Sequence, residues 1–130
     1  MIVADSSVWI DYFNGIANVK TERLREALAS EPVLLGDLIL CEVLRGARSE
    51  RDAHGIEAVL AALDFAAMGG RKIAVKAARN YRHLRRRGVT GRSAIDLMIG
   101  TFCIEHEHRL LHADRDFNTM VDHLGLQVVT

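Results

Sequence analysis

Residues 2–13 read Ile2-Val3-Ala4-Asp5-Ser6-Ser7-Val8-Trp9-Ile10-Asp11-Tyr12-Phe13, an apolar triplet that runs into an acid and then into a helical pattern. The triplet is a short strand, Asp5 closes it, and 6–14 form a helix stopped by Gly15. The same alternation continues outward. An amphipathic helix is expected over 21–30, Pro32 interrupts the chain, and 33–35 make a second strand. Asp37 caps a helix reaching residue 47, and Ser49 opens another to about residue 63. Beyond it come a third strand at 65–68, a basic helix at 72–87, a loop at 88–91 and an almost wholly apolar helix at 93–106. Strands at 110–112 and 126–129, with 114–124 helical between them, bring the total to about five. Strands separated by helices need right-handed crossovers, which predicts an α/β fold with a parallel central sheet covered on both faces.

The chain has 130 residues, 49% of them apolar, and seventeen Lys+Arg balance seventeen Asp+Glu. Such a length suits one domain, here 1–130, and buries roughly two thirds of the unfolded surface. Cys41 and Cys103 stand in apolar surroundings with no second pair, so both are expected to be reduced core thiols. The start Met1-Ile2-Val3-Ala4-Asp5 has no basic segment ahead of an apolar one, and no apolar run is long enough to span a membrane. A cytoplasmic protein without membrane attachment is the expectation. Zero net charge, taken alone, argues against a nucleic-acid partner.

Acids at apolar positions reverse that reading. Glu42 lies inside Leu38-Ile39-Leu40-Cys41-Glu42-Val43-Leu44, and Asp96 inside Ala94-Ile95-Asp96-Leu97-Met98-Ile99. A buried carboxylate needs a partner. Asp5 ends the first strand and Asp114 follows the fourth, so both fall at the carboxyl edge of the sheet, where open α/β folds place their ligands. Two carboxylates ~4 Å apart repel by about 4 kcal/mol at an effective dielectric of about 20. A hard divalent ion, Mg²⁺ or Mn²⁺, removes that conflict and can also activate water. Helix capping is the competing explanation for Asp5, Asp114 and the Ser93–Asp96 pair, whereas Glu42 sits too deep in its helix to be a cap.

These residues resemble the PIN-domain ribonucleases, and among them the VapC-type toxins of toxin–antitoxin pairs, along the whole chain. The opening signature is carried by Ile2-Val3-Ala4-Asp5-Ser6-Ser7-Val8, and the acid in an apolar helix by Glu42-Val43-Leu44-Arg45-Gly46. The loop–helix acid is matched by Ser93-Ala94-Ile95-Asp96 and the closing motif by Leu110-Leu111-His112-Ala113-Asp114-Arg115-Asp116-Phe117. His112 departs from the pattern, since many relatives carry Thr or Ser there.

The resemblance implies a three-layer α/β/α sandwich and Mg²⁺-dependent hydrolysis of structured RNA, tRNA or rRNA, leaving 5′-phosphate and 3′-hydroxyl ends. It implies Asp5, Glu42, Asp96 and Asp114 as the catalytic set. Asp5 and Asp96 would hold the metal, Glu42 would be a ligand or position the water, and Asp114 would act through water or on a second ion. Ser7 and His112 would support the cluster, and Asp116 would cap and orient the last helix. A homodimer silenced by a small antitoxin is also implied.

Between Asp64 and Asp96 there is no acid, and residues 71–92 hold nine of the seventeen basic residues. On a helix Lys72, Lys76, Arg79, His83 and Arg86 share one face, flanked by Arg82 and Arg85, which predicts a phosphate-binding surface. Tyr81 is the one aromatic in the stretch, so backbone and shape recognition of folded RNA is expected over reading of single strands. The zero net charge is thus a sum over two unlike regions. Two other enzyme or binding classes remain: a metal-independent ribonuclease using His112, and an RNA-binding module without turnover. A phospho-receiver domain lacks support, because Asp5 is followed by Ser6 and Lys76 is the last lysine.

Overall fold

A computed structural model describes residues 1–90 and 93–130. The loop expected at 88–91 therefore ends, at Gly91, outside the described residues, as does Arg92. Among the described residues four strands form the sheet: β1 (Ile2–Ala4), β2 (Val33–Gly36), β3 (Asp64–Ala66) and β4 (Arg109–Leu111). Their order is β3-β2-β1-β4 and every pairing is parallel, with Ile2 opposite both Val33 and Arg109. Among the described residues seven α-helices flank it: α1 (Ser6–Phe13), α2 (Val19–Ser30), α3 (Asp37–Arg45), α4 (Glu50–Leu60), α5 (Arg71–Arg86), α6 (Ala94–Glu105) and α7 (Asn118–Leu124). The fold is the expected α/β/α arrangement. Val3, Ala4, Leu110 and Leu111 are buried on the central strands, as a sheet covered on both faces requires.

Local chemistry sets the helix starts. Asn18 and Thr21 form a reciprocal capping box on α2, Ser49 Oγ accepts the Asp52 N–H at 3.1 Å, and Ser93 Oγ accepts the Asp96 N–H at 3.0 Å. Trp9, Tyr12 and Phe13 pack together on α1, and Trp9 is buried.

Several expected boundaries move. The fifth strand at 126–129 is reduced to one bridge, Val128 beside Leu110, with 2.9 Å hydrogen bonds from Leu110 N to Gln127 O and from Val129 N to Leu110 O. Leu126 and Val129 both turn inward, and a three-residue spacing is incompatible with the two-residue repeat of a strand. The third strand stops at Ala66 because Asp37 Oδ1 takes the Met68 N–H at 2.8 Å. The last helix is preceded by a 3₁₀ turn, Arg115–Phe117, capped by Asp114. Cys103 is buried as expected, but Cys41 is exposed, away from the Ile39 and Val43 face of α3.

The chain winds outward from β1 through β2 to β3, then returns to β1's other side as β4. That reversal makes the carboxyl ends of β1 and β4 the switch point where such sheets open a crevice. Asp5 N donates to Leu111 O at 2.9 Å, tying the two strand ends together.

Candidate metal centre

Asp5 leaves β1 at this switch point and is only 4% exposed. Its Oδ2 accepts the Ser7 hydroxyl at 2.9 Å and the Ser7 amide at 3.4 Å. Oδ1 is buried and, among the described residues, has no hydrogen-bond partner. Burial pushes the Asp5 carboxyl above its ordinary value, the hydrogen bonds to residues 6 and 7 pull it back, and the charge of Asp114 raises it again.

Glu42 lies on the inward side of α3, with Ile39 and Val43 buried beside it in sequence, and its Oε1 is buried without a partner among the described residues. Asp96 occupies the first turn of α6. Its carboxyl is pushed up to about 6, first by burial and then by the charges of Asp5, Asp114 and Glu42, against the Ser93 hydrogen bond that lowers it. All four acids expected from the sequence are thus electrostatically coupled at one sheet edge.

Asp116 is brought closer than expected. Asp96, Asp114 and Asp116 each present a carboxylate oxygen within 4.8 Å of the other two. Oxygens on one octahedral ion at ~2.1 Å lie about 3.0 Å apart when adjacent and about 4.2 Å when opposite, so the trio is near enough to share a cation once its side chains draw together. Read as part of a helix, residues two apart point to different sides. Asp114 is instead extended, with φ −97° and ψ 122°, and accepts the Asp116 N–H at 2.9 Å. The Asp114 carboxylate thus caps the 3₁₀ turn, while among the described residues the last helix begins after Phe117 with no side-chain cap, so Asp116 does not cap it as expected. The all-oxygen donor set, with orphaned buried oxygens on Asp5 and Glu42, fits a hard divalent ion.

His112 is buried at the end of β4 and packs on Phe117 with ring centroids 5.2 Å apart, and among the described residues its Nδ1 has no hydrogen-bond partner. Burial lowers its pKa below the ordinary value, which favours the neutral ring. Cys103, also buried, has a thiol pushed up to about 12, mainly by burial, and is no nucleophile at neutral pH.

The basic helix α5 buries Ile73, Ala77 and Leu84 and exposes Lys72, Arg79, Arg82, Arg85 and Arg86. Lys76 departs from the expected phosphate-binding face. It is half-buried and paired with Glu105 of α6, so its charge is already engaged within the fold.

Residues 2–122 match the PIN domain family. The chain is 30% identical over 141 residues to VapC ribonuclease Mb1587 of Mycobacterium bovis and to Ribonuclease VapC11 of Mycobacterium tuberculosis, covering 100% of this chain and 98% of each relative. Its fold is similar to that in a crystal structure of VapBC2 from Rickettsia felis bound to a DNA fragment from their promoter, at a TM-score of 0.76 and 14% identity, covering 99% of this chain and 98% of that one. It is also similar to VapC20 of Mycobacterium tuberculosis, a Sarcin-Ricin loop cleaving toxin, at a TM-score of 0.70 and 17% identity, covering 91% and 93%. With the acids of β1, α3, α6 and the β4 end gathered at one sheet edge, the chain belongs to the PIN domain family and, within it, to the VapC group.

Proposed function

We propose that this protein is the toxin of a toxin–antitoxin pair, an endoribonuclease that hydrolyses structured RNA, of the tRNA or rRNA kind, with Mg²⁺ or alternatively Mn²⁺. The observation that carries this reading is the cluster in which Asp96, Asp114 and Asp116 bring carboxylate oxygens within 4.8 Å of one another, close enough to repel. Such mutual repulsion is relieved by a divalent cation. Asp96, Asp114 and Asp116 would hold it, with Asp5 supplying its orphaned Oδ1. When bound, the ion would lower the pKa of water and polarise a phosphoryl oxygen. Glu42, whose Oε1 is buried and unpartnered, would accept a proton from the attacking water. Ser7 holds Asp5 in orientation through its 2.9 Å hydrogen bond. Lys72, Arg79, Arg82 and Arg86 would hold the RNA backbone from the exposed side of α5.

The reading extends to silencing by a small antitoxin, which the VapBC complexes of similar fold support, and to a cytoplasmic homodimer. No described helix is long and apolar enough to cross a membrane. The test is RNA cleavage by purified protein in Mg²⁺, where Asp96→Asn and Asp5→Asn should abolish turnover while leaving the folded state intact. Full activity in either folded variant overturns the assignment.

A further inference from the structure

Between α5 and α6 runs an open groove of about 510 Å³, bordered by Ala74, Ala78, Tyr81 and Arg82 on one side and by Leu97 and Met98 on the other. The helices are held together elsewhere, by the Asn80–Thr101 hydrogen bond at 3.0 Å and the Lys76–Glu105 pair. Alanines at 74 and 78 leave the slot unfilled. Its volume lies within the range of small-molecule sites, roughly 300–1,000 Å³, and its lining is mostly apolar. One wall carries the half-buried ring of Tyr81, with the Arg85 guanidinium 5.7 Å from the ring centroid.

Charge decides what fits. Arg79, Arg82, Arg85 and Arg86 are exposed along the same helix, so a second copy seated on this face would bring two cationic rims together. A nucleic acid satisfies both parts of the surface, because its backbone is anionic while each base has an apolar π-face. The groove also opens at the first turn of α6, the turn that carries Asp96.

We propose that the α5–α6 groove receives one unstacked nucleobase of the RNA whose backbone is held at the acidic centre, with Tyr81 as its stacking platform. This rests on the ribonuclease reading above. A single aromatic serves a single base, so the substrate must offer an unpaired nucleotide near the scissile bond, as loops and bulges do and continuous duplexes do not.

The test uses purified protein in EDTA, which suspends metal-dependent cleavage, and two probes: a short single-stranded oligoribonucleotide carrying 4-thiouridine and a blunt RNA duplex. The wild type should crosslink to the thiouridine at Tyr81 or Met98. Ala78→Trp, at an exposed position, and Tyr81→Ala should each weaken single-strand binding by about tenfold. Both should remove the crosslink while duplex affinity and Mn²⁺ affinity stay unchanged, and Tyr81→Phe should retain the wild-type affinity. Equal single-strand affinity in wild type and Ala78→Trp, or crosslinks confined to other surfaces, overturns the base site alone. A change of molar mass in light scattering with Ala78→Trp makes this the contact face of a second copy and also overturns it. Wild-type protein that binds neither probe and cuts no RNA in Mg²⁺ refutes the ribonuclease reading itself.

Discussion

The Ser7 hydroxyl donates to Asp5 Oδ2 at 2.9 Å, while Asp5 Oδ1, buried on the same carboxylate, has no partner among the described residues. One oxygen is anchored by the protein and the other is left for something outside it. Ser7→Ala removes the stronger of the hydrogen bonds that hold the Asp5 carboxyl down. A hydrogen bond to a charged group is worth about 1.5–3 kcal/mol, so Mn²⁺ affinity measured by titration calorimetry should fall by about tenfold or more. Unchanged affinity would mean that Asp5 does not face the ion.

Asp96 makes the metal-free protein pH-sensitive. Its folded-state carboxyl is raised to about 6 from 3.8, so the native chain binds that proton more tightly than the unfolded chain. The contribution to stability is fully present below the lower value, declines as pH rises and is lost above about 6. The difference in Tm between wild type and Asp96→Asn in EDTA should therefore move against the wild type from about pH 4 to about pH 7. Mn²⁺ should raise the wild-type Tm at about pH 7 and much less at about pH 5, since protons and the ion compete. A difference that is flat with pH would contradict the buried, repelled carboxyl.

Asp116 should matter as much as Asp114. If the trio with Asp96 binds the ion, Asp116→Asn and Asp114→Asn each weaken Mn²⁺ binding by about tenfold or more, with far-ultraviolet circular dichroism preserved. Loss confined to Asp114→Asn would return Asp116 to a purely structural role.

Along α5 the exposed arginines and the paired lysine should behave differently. Arg79→Ala and Arg86→Ala should each flatten the dependence of log affinity on log salt by about 0.7–0.9, the change expected when one fewer phosphate is neutralised, measured with folded RNA. Lys76→Ala should leave that slope unchanged and slightly lower the Tm, because its partner is Glu105. A slope change in Lys76→Ala alone would place the phosphate surface on the wrong side of the helix.

Much of the fold and of the acidic centre is legible in the residues because the informative features are local. An apolar triplet ending in Asp5, a Ser93 cap three residues ahead of Asp96, and a long basic helix each declare themselves within one turn or strand. The features that periodicity misses depend on long-range geometry. Lys76 cannot be told from its neighbours in sequence, since Glu105, its partner, lies 29 residues away on another helix. The resemblance implies a capping role for Asp116, whereas the cap that forms is the one the residues themselves offer at Asp114, on a 3₁₀ turn that replaces the first helical turn. The bridge at Val128 and the early end of β3 likewise follow from tertiary contacts, burial of Leu126 and Val129 in one case and the Asp37–Met68 hydrogen bond in the other.

The central claim, that the clustered acids activate water for RNA hydrolysis through a divalent ion, is tested most directly by the end chemistry of RNA cut by the wild-type protein. Cleavage should require Mg²⁺ or Mn²⁺, stop in EDTA, and leave 5′-phosphate and 3′-hydroxyl ends. Cleavage that persists in EDTA and leaves a 2′,3′-cyclic phosphate would assign the chemistry to the neutral His112 or another base acting on the 2′-hydroxyl, and would contradict the metal centre.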